Sequence, residues 1–122
     1  LSAEGLGLGD VLIARLYVSD MDHYAAVNKA FASFFEGGSP AARVAVQLPL
    51  CDAARPNCRV ALECVAARGP KRYLQVFSIS EWAPRMIGPY CQLTVGAGTG
   101  FVAGSLGLVP HTMRLVDGDV GA

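Results

Sequence analysis

Val11-Leu12-Ile13-Ala14-Arg15-Leu16-Tyr17-Val18 is the stretch on which the fold turns. Only Arg15 interrupts its apolar run, and a short, continuous, β-rich segment of this kind cannot leave either face in water. It predicts a strand at the centre of a sheet, covered on both sides. Directly after it, Asp20 or Asp22 can accept backbone N–H bonds as an N-cap. Tyr24, Val27, Phe31, Phe34 and Phe35 then recur at helical spacing, and Gly37-Gly38 offers a left-handed stop. The spacing predicts a helix of about 14 residues packed through an aromatic stripe.

Further along, Arg43 to Leu48 alternates, with Val44, Val46 and Leu48 on one face and Arg43, Ala45 and Gln47 on the other. A second alternating run, Arg59 to Ala66, separates Val60, Leu62, Cys64 and Ala66 from Arg59, Ala61, Glu63 and Val65. If the two runs pair antiparallel around the loop Pro49 to Asn57, merging their apolar faces places Arg43, Ala61 and Glu63 together on the opposite face. Gly69-Pro70-Lys71-Arg72 reads as a linker between a first half, 1–68, and a second, 73–122. Beyond it, Tyr73 to Ile79 is a candidate strand, and Ala83-Pro84 and Gly88-Pro89 impose extended or turned backbone. Gln92 to Val95 starts another strand, and Gly96 to Gly100 turns into Phe101-Val102-Ala103 as a hairpin. The halves are expected to complete one sheet and to form one unit.

The 122 residues are enough for one domain. Ten Lys and Arg balance ten Asp and Glu, so no excess positive charge is available to neutralise a phosphate backbone, and no nucleic-acid partner is expected. Charged residues make up 16% against about 25% in average domains, while 52% are hydrophobic, which predicts burial of surface in an oligomer. No apolar run approaches the roughly 18 residues a bilayer requires, and Leu1-Ser2-Ala3-Glu4 does not open like a signal peptide, so a cytoplasmic chain with no membrane association is expected.

Cys51, Cys58, Cys64 and Cys91 contain no Cys-x-x-Cys pair and lie far from His23 and His111, so no metal site is expected. Two of these thiols fall in strand-like runs, where buried free cysteine is the ordinary outcome, and a Cys51–Cys58 bridge is the main exception to a reduced protein. Gly96 to Gly100 imitates a phosphate loop, but no Lys-Ser/Thr follows it, and no cofactor is expected.

Three blocks of the chain resemble the reactive-intermediate deaminase family, also called Rid or YjgF-like. Asp20-Met21 with Tyr24, Val27-Asn28 and Phe34-Phe35 is similar to its strand-to-helix segment. Pro40-Ala41-Ala42-Arg43 through Leu48-Pro49, with Leu62-Glu63-Cys64-Val65-Ala66, resembles its arginine strand and closing E-x-E strand. Ala83-Pro84, Ile87-Gly88-Pro89-Tyr90 and Gln92 resemble its opening A-P-x-x-I-G-P-Y-S-Q. The order is inverted, since in the family the A-P-x-x-I-G-P-Y block comes first. The chain is therefore either circularly permuted or spans the junction of two tandem domains. In family order, most of one sheet-covering helix would fall between Ala122 and Leu1. Ser78 to Pro84 together with Gly107-Leu108-Val109-Pro110 is most similar to the tandem domains of some diphthine–ammonia ligases. The resemblance implies an α+β, chorismate-mutase-like mixed sheet with helices on one face, permuted or swapped between chains, and a homotrimer with ligand clefts between subunits.

Arg43 is the residue to single out, because a guanidinium is a rigid fork of donors that matches a carboxylate bidentately. The resemblance implies that it holds the carboxylate of a 2-imino or 2-enamino acid; the plainer reading is an exposed strand arginine paired with Glu63. Tyr90, after a Gly-Pro turn, either presents its hydroxyl to the cleft or anchors a subunit contact. Tyr17 completes the candidate ligand-binding set, although its place on the central strand reads as core. Hydrolysis of an imine needs a group to handle a water's proton. Ala61 stands where the family has its first E-x-E carboxylate, which leaves Glu63 as the catalytic candidate, and Ala103-Gly104-Ser105 replaces the family's S-G-Q. Three expectations follow: a ligand-binding and assembly region of a diphthine–ammonia ligase-type protein, whose ATP-dependent amidation of diphthine on elongation factor 2 lies outside these residues; a deaminase releasing ammonia; or a purely structural oligomerisation domain. The expected ligand is a small carboxylate-bearing molecule.

Overall fold

Apolarity on both faces carries β1 (Val11–Val18) to the middle of a three-stranded sheet, between β2 (Ala42–Gln47), which pairs with it in parallel, and β3 (Val60–Ala66), which pairs antiparallel. The computed structural model describes residues 1–35, 38 and 40–118. Val11, Leu12, Ala14, Leu16 and Val18 are each at most 2% exposed, but Arg15 and Tyr17 on the other face are only half-buried, so the predicted cover on both sides holds for the first half of the strand and on one face beyond it.

The expected β2–β3 hairpin is not formed, because β1 lies between the two strands. The most apolar strand gains most from a central position, and the helix after β1 supplies the crossover that parallel pairing with β2 requires. The correction changes the faces. Arg43 and Cys64 both lie beside Ala14, whereas Glu63 and Val44 both lie beside Arg15. Laterally paired side chains share a face and successive ones alternate, so Arg43 and Glu63 project from opposite faces of the sheet.

The Asp20 carboxylate accepts the Asp22 amide at 2.9 Å and starts a 3-10 turn, Met21–His23, that runs into α1 (Tyr24–Ser33). The helix has 10 residues rather than the predicted 14. The Phe34 and Phe35 amides bond three residues back, to Phe31 and Ala32, which tightens the last turn and carries Phe34 outward to 65% exposure. Phe34 therefore leaves the stripe. Phe31 packs with Val11, Ala14 and Ala41, and Phe35 joins it at 4.9 Å between ring centroids. Of the predicted stop, Gly37 lies outside the described residues.

In the second half, β4 (Arg72–Leu74), β5 (Leu93–Gly96) and β6 (Thr99–Val102) form an antiparallel ladder in that spatial order. The predicted strand from Tyr73 to Ile79 is cut to a three-residue β4, which begins inside the expected linker at Arg72. At Val76 a side chain takes over from the ladder: its amide donates to Gln92 Oε1 at 3.0 Å, and its carbonyl accepts from Met86. The predicted β5–β6 hairpin is present. Ala97 (φ 49°) and Gly98 (φ 72°) are both left-handed, the primed turn whose twist suits a tight hairpin. A small hairpin, β7 (Leu108–Val109) with β8 (Arg114–Leu115), follows.

The two ladders do not merge into one continuous sheet. They meet at a parallel bridge between Ala42 and Cys91, where the Cys91 amide donates to Ala41 and the Gly104 amide donates to Arg43 O, each at 3.0 Å. Thr94 Oγ1 and Lys71 Nζ reach the carbonyls of Leu12 and Val11. Ile13 and Ala42 bury against Ala103, with Val65, Tyr90 and Phe101 around them, so α1 covers the Ala14 face and second-half residues cover the other.

All four cysteines are free, and the Cys51–Cys58 bridge is not formed; Cys51 Sγ donates instead to the Cys58 carbonyl at 3.1 Å. Cys64, on a strand with only one neighbour, is exposed rather than buried. Cys91 is fully buried at the bridge, and burial pushes its thiol up to about 11. A maleimide at pH 8 is expected to label Cys51 quickly and to reach Cys91 only after unfolding, because the thiolate is the reactive form. Labelling of Cys91 in the folded protein, read by peptide mass mapping, would contradict the buried bridge. Among the described residues no group of His, Cys, Asp and Glu could hold a metal ion, and no helix is long and apolar enough to cross a membrane.

Candidate functional site

Arg43 sits on β2 where the strand is flanked by α1 and by the Gly88 to Cys91 segment, and it is only 3% exposed. Its Nη2 donates to the Tyr24 hydroxyl at 2.8 Å. Its Cζ lies 4.9 Å from the Phe31 ring centroid, 5.3 Å from that of Tyr90 and 5.8 Å from that of Tyr24. The guanidinium thus occupies an aromatic cage, with each ring in cation–π range. Gly88 permits the close approach: a Cβ there would stand 3.0 Å from Arg43 Nη2 and 3.2 Å from Tyr90 Cε1.

Nη1 is buried and has no hydrogen-bond partner, and among the described residues no salt bridge reaches Arg43. The exposed, Glu63-paired arginine of the plainer reading is therefore corrected. Burial pulls the Arg43 pKa below its ordinary value, opposed by the neighbouring tyrosines, yet an arginine starts so high that it keeps its charge at neutral pH. A desolvated cation with an unused N–H pair is costly to bury and becomes less so when an anion reaches it.

Beside the cage lies a cleft of about 380 Å³, lined by Tyr24, Arg43, Val44, Ile87, Tyr90 and Ser105 among others, with no carboxylate among the described residues of its wall. Gly104 belongs to that wall because a Cβ would meet Val44 Cγ2 at 3.0 Å. A positively charged, mostly apolar recess of this size can hold a small organic anion.

Of the residues singled out in the sequence, the structure brings Arg43 and Tyr90 together and leaves Glu63 and Tyr17 elsewhere. Glu63 accepts from Arg15 Nη1 at 2.8 Å and from the Tyr17 hydroxyl at 3.3 Å. Both Glu63 and Tyr17 stand on the face away from Arg43, and Ala61 is the register partner of Tyr17. The parity that joined Arg43 to Glu63 held only for a direct β2–β3 pair. Sequence reasoning missed Tyr24 and Phe31 as partners of Arg43. Their seven-residue separation, two helical turns, was a usable signal, but it was read as core alone.

An endoribonuclease L-PSP family model matches residues 1–68. The diphthine–ammonia ligase of Schizosaccharomyces pombe is 31% identical over 116 residues, which span 94% of this chain and 18% of that protein. The Saccharomyces cerevisiae diphthine–ammonia ligase is 29% identical over 123 residues, covering 87% of this chain and again 18% of the relative. Among solved structures, a Thermotoga maritima protein described as a candidate endoribonuclease superposes on 57% of this chain and 52% of its own, with TM-score 0.49 and 24% identity. The chain spans about a fifth of the length of the curated relatives it matches.

Proposed function

The chain belongs to the endoribonuclease L-PSP family, the Rid or YjgF-like proteins, and from that membership we propose that it is the ligand-binding and assembly region of a diphthine–ammonia ligase-type protein, with Arg43 holding a small carboxylate. The ATP-dependent amidation is assigned to the remainder of such a protein. One observation carries the ligand reading: a guanidinium buried to 3% exposure, caged by Tyr24, Phe31 and Tyr90, with Nη1 lacking a hydrogen-bond partner, on a residue that lines a cleft with no carboxylate among the described residues of its wall. Binding to the folded state alone stabilises by RT ln(1 + [L]/Kd), about 2.7 kcal/mol at a hundredfold excess over Kd. Titration with 2-oxobutyrate is therefore expected to raise the melting temperature saturably. A flat response to 2-oxobutyrate, and to other 2-oxo acids from pyruvate upward, at millimolar concentration refutes the reading.

Deaminase turnover is the second reading, favoured by the Tyr90 and Ser105 hydroxyls at the cleft. It lacks, among the described residues of the cleft, a carboxylate for proton transfer at Arg43, because Glu63 is engaged on the opposite face. Ammonia release from freshly generated 2-iminobutyrate above the buffer rate would favour it over binding alone. Assembly, proposed as a homotrimer, is supported by apolar surface that water should not face: Phe34, Phe77 and Trp82 are 65%, 67% and 68% exposed. A monomer by sedimentation at micromolar concentration would exclude it.

A further inference from the structure

A second cleft, of about 420 Å³, shares Ile87, Tyr90, Gly104, Ser105 and Leu106 with the first, so the two adjoin at Tyr90 and are taken together as one groove. Its two ends differ in chemistry. At one end stands the caged guanidinium with its unpartnered Nη1. At the other the wall is built from Leu74, Val76, Pro84, Leu108 and Val116. The amide of Gln92, the polar side chain in that wall besides Tyr90, Ser105 and Arg85, is already spent, accepting from Val76 N at 3.0 Å and donating to Pro84 O at 3.2 Å. Arg85 is exposed and can keep its charge in water at the rim.

Resting on the carboxylate reading of Arg43, we propose that the groove selects an amphipathic monocarboxylate: the carboxylate on Arg43, and an unbranched or aromatic apolar tail of several carbons running past Tyr90 onto Leu74, Leu108 and Val116. A short acid fills only the charged end and leaves the apolar wall wet. A longer one removes that wall and its own methylenes from water together. Specificity then lies in tail length and apolarity, set by residues of the second half that make no contact with the carboxylate.

Calorimetric titration of the intact chain with 2-oxobutyrate, 2-oxohexanoate and 2-oxooctanoate tests this. Affinity is expected to rise with every added methylene, up to about fourfold for each one fully buried. Val116 is 58% exposed, so Val116→Asp is tolerated by the fold; it is expected to flatten the rise along the series, and an unchanged circular dichroism spectrum and melting temperature report that the variant is folded. Equal affinity along the series, with 2-oxobutyrate still bound, overturns the inference and leaves the carboxylate reading standing. Tighter binding of a 2-oxo diacid of equal length also overturns it, because Arg85 would then be taking a second charge. Failure of every acid to bind defeats both readings. Binding of the long acids that survives Arg43→Met defeats both as well, since the tail would be acting without the anchor.

Discussion

Arg43→Met is expected to leave the melting temperature close to that of the native protein and to abolish its response to 2-oxobutyrate. The two effects have different origins. In the free protein the guanidinium is 3% exposed with one nitrogen unsatisfied, so removing it relieves a desolvation penalty. What is lost is one hydrogen bond to Tyr24, about 1 kcal/mol, and cation–π contacts of similar size. Tyr24 is only half-buried, so its hydroxyl can turn to water. Methionine keeps the length of the stem and offers its sulfur to Phe31 and Tyr90, and sulfur–aromatic contacts are worth about 0.3–1.5 kcal/mol. These terms nearly cancel, and a net change within about 1 kcal/mol is expected.

The ligand has no such compensation. Two charge-assisted hydrogen bonds at about 1.5–3 kcal/mol each correspond to a loss of at least about a hundredfold in affinity. Arg43→Lys keeps the charge but not the fork and should fall between the two. A variant that melts several degrees lower yet still responds fully to 2-oxobutyrate would show that Arg43 serves the core alone.

The second large effect concerns the seam between the halves. Leu12 is 2% exposed, and Leu12→Ala should cost about 2–5 kcal/mol, since a buried leucine loses its transfer energy and leaves a cavity. Gly96, on β5, faces it: a Cβ there would fall 2.6 Å from Leu12 Cδ2. Gly96→Ala in the native background should cost about 1–3 kcal/mol by overpacking, because Leu12 is enclosed and has no room to yield. In the Leu12→Ala background the new methyl enters the vacated space, and the same substitution should be nearly neutral. Urea unfolding of the four proteins measures this coupling. Additivity would mean that β1 and β5 are not packed as described, and that the halves make no common core.

Much of the first half was legible because its signals are one-dimensional. β1 runs from Val11 to Val18, as its continuous apolarity requires, and Asp20 caps the helical segment through an acceptor placed two residues before the amide it takes. The β5–β6 turn was legible for the same kind of reason, since its glycine-rich residues permit a left-handed bend. The site was legible in part. Arg43 and Tyr90 could be chosen by chemistry and by resemblance, and the structure sets them 5.3 Å apart from Cζ to ring centroid. Glu63 could not be placed, because its face depends on which strand lies beside it.

Residue order and spacing were sufficient for the central strand, the helix start and the hairpin, and for singling out Arg43 as a candidate. Each of these depends on contacts within a few residues or on the chemistry of one side chain. Partner choice among β1, β2 and β3, the aromatic cage around Arg43 and the clefts that adjoin at Tyr90 belong to the tertiary structure. In all three, groups tens of residues apart compete for the same neighbour. The winner is decided by burial summed over the whole core, with β1 taking the centre because its apolar run is the longest and is broken only by Arg15. That one placement moves Glu63 to the far face and leaves Arg43 caged by rings, with no salt bridge among the described residues.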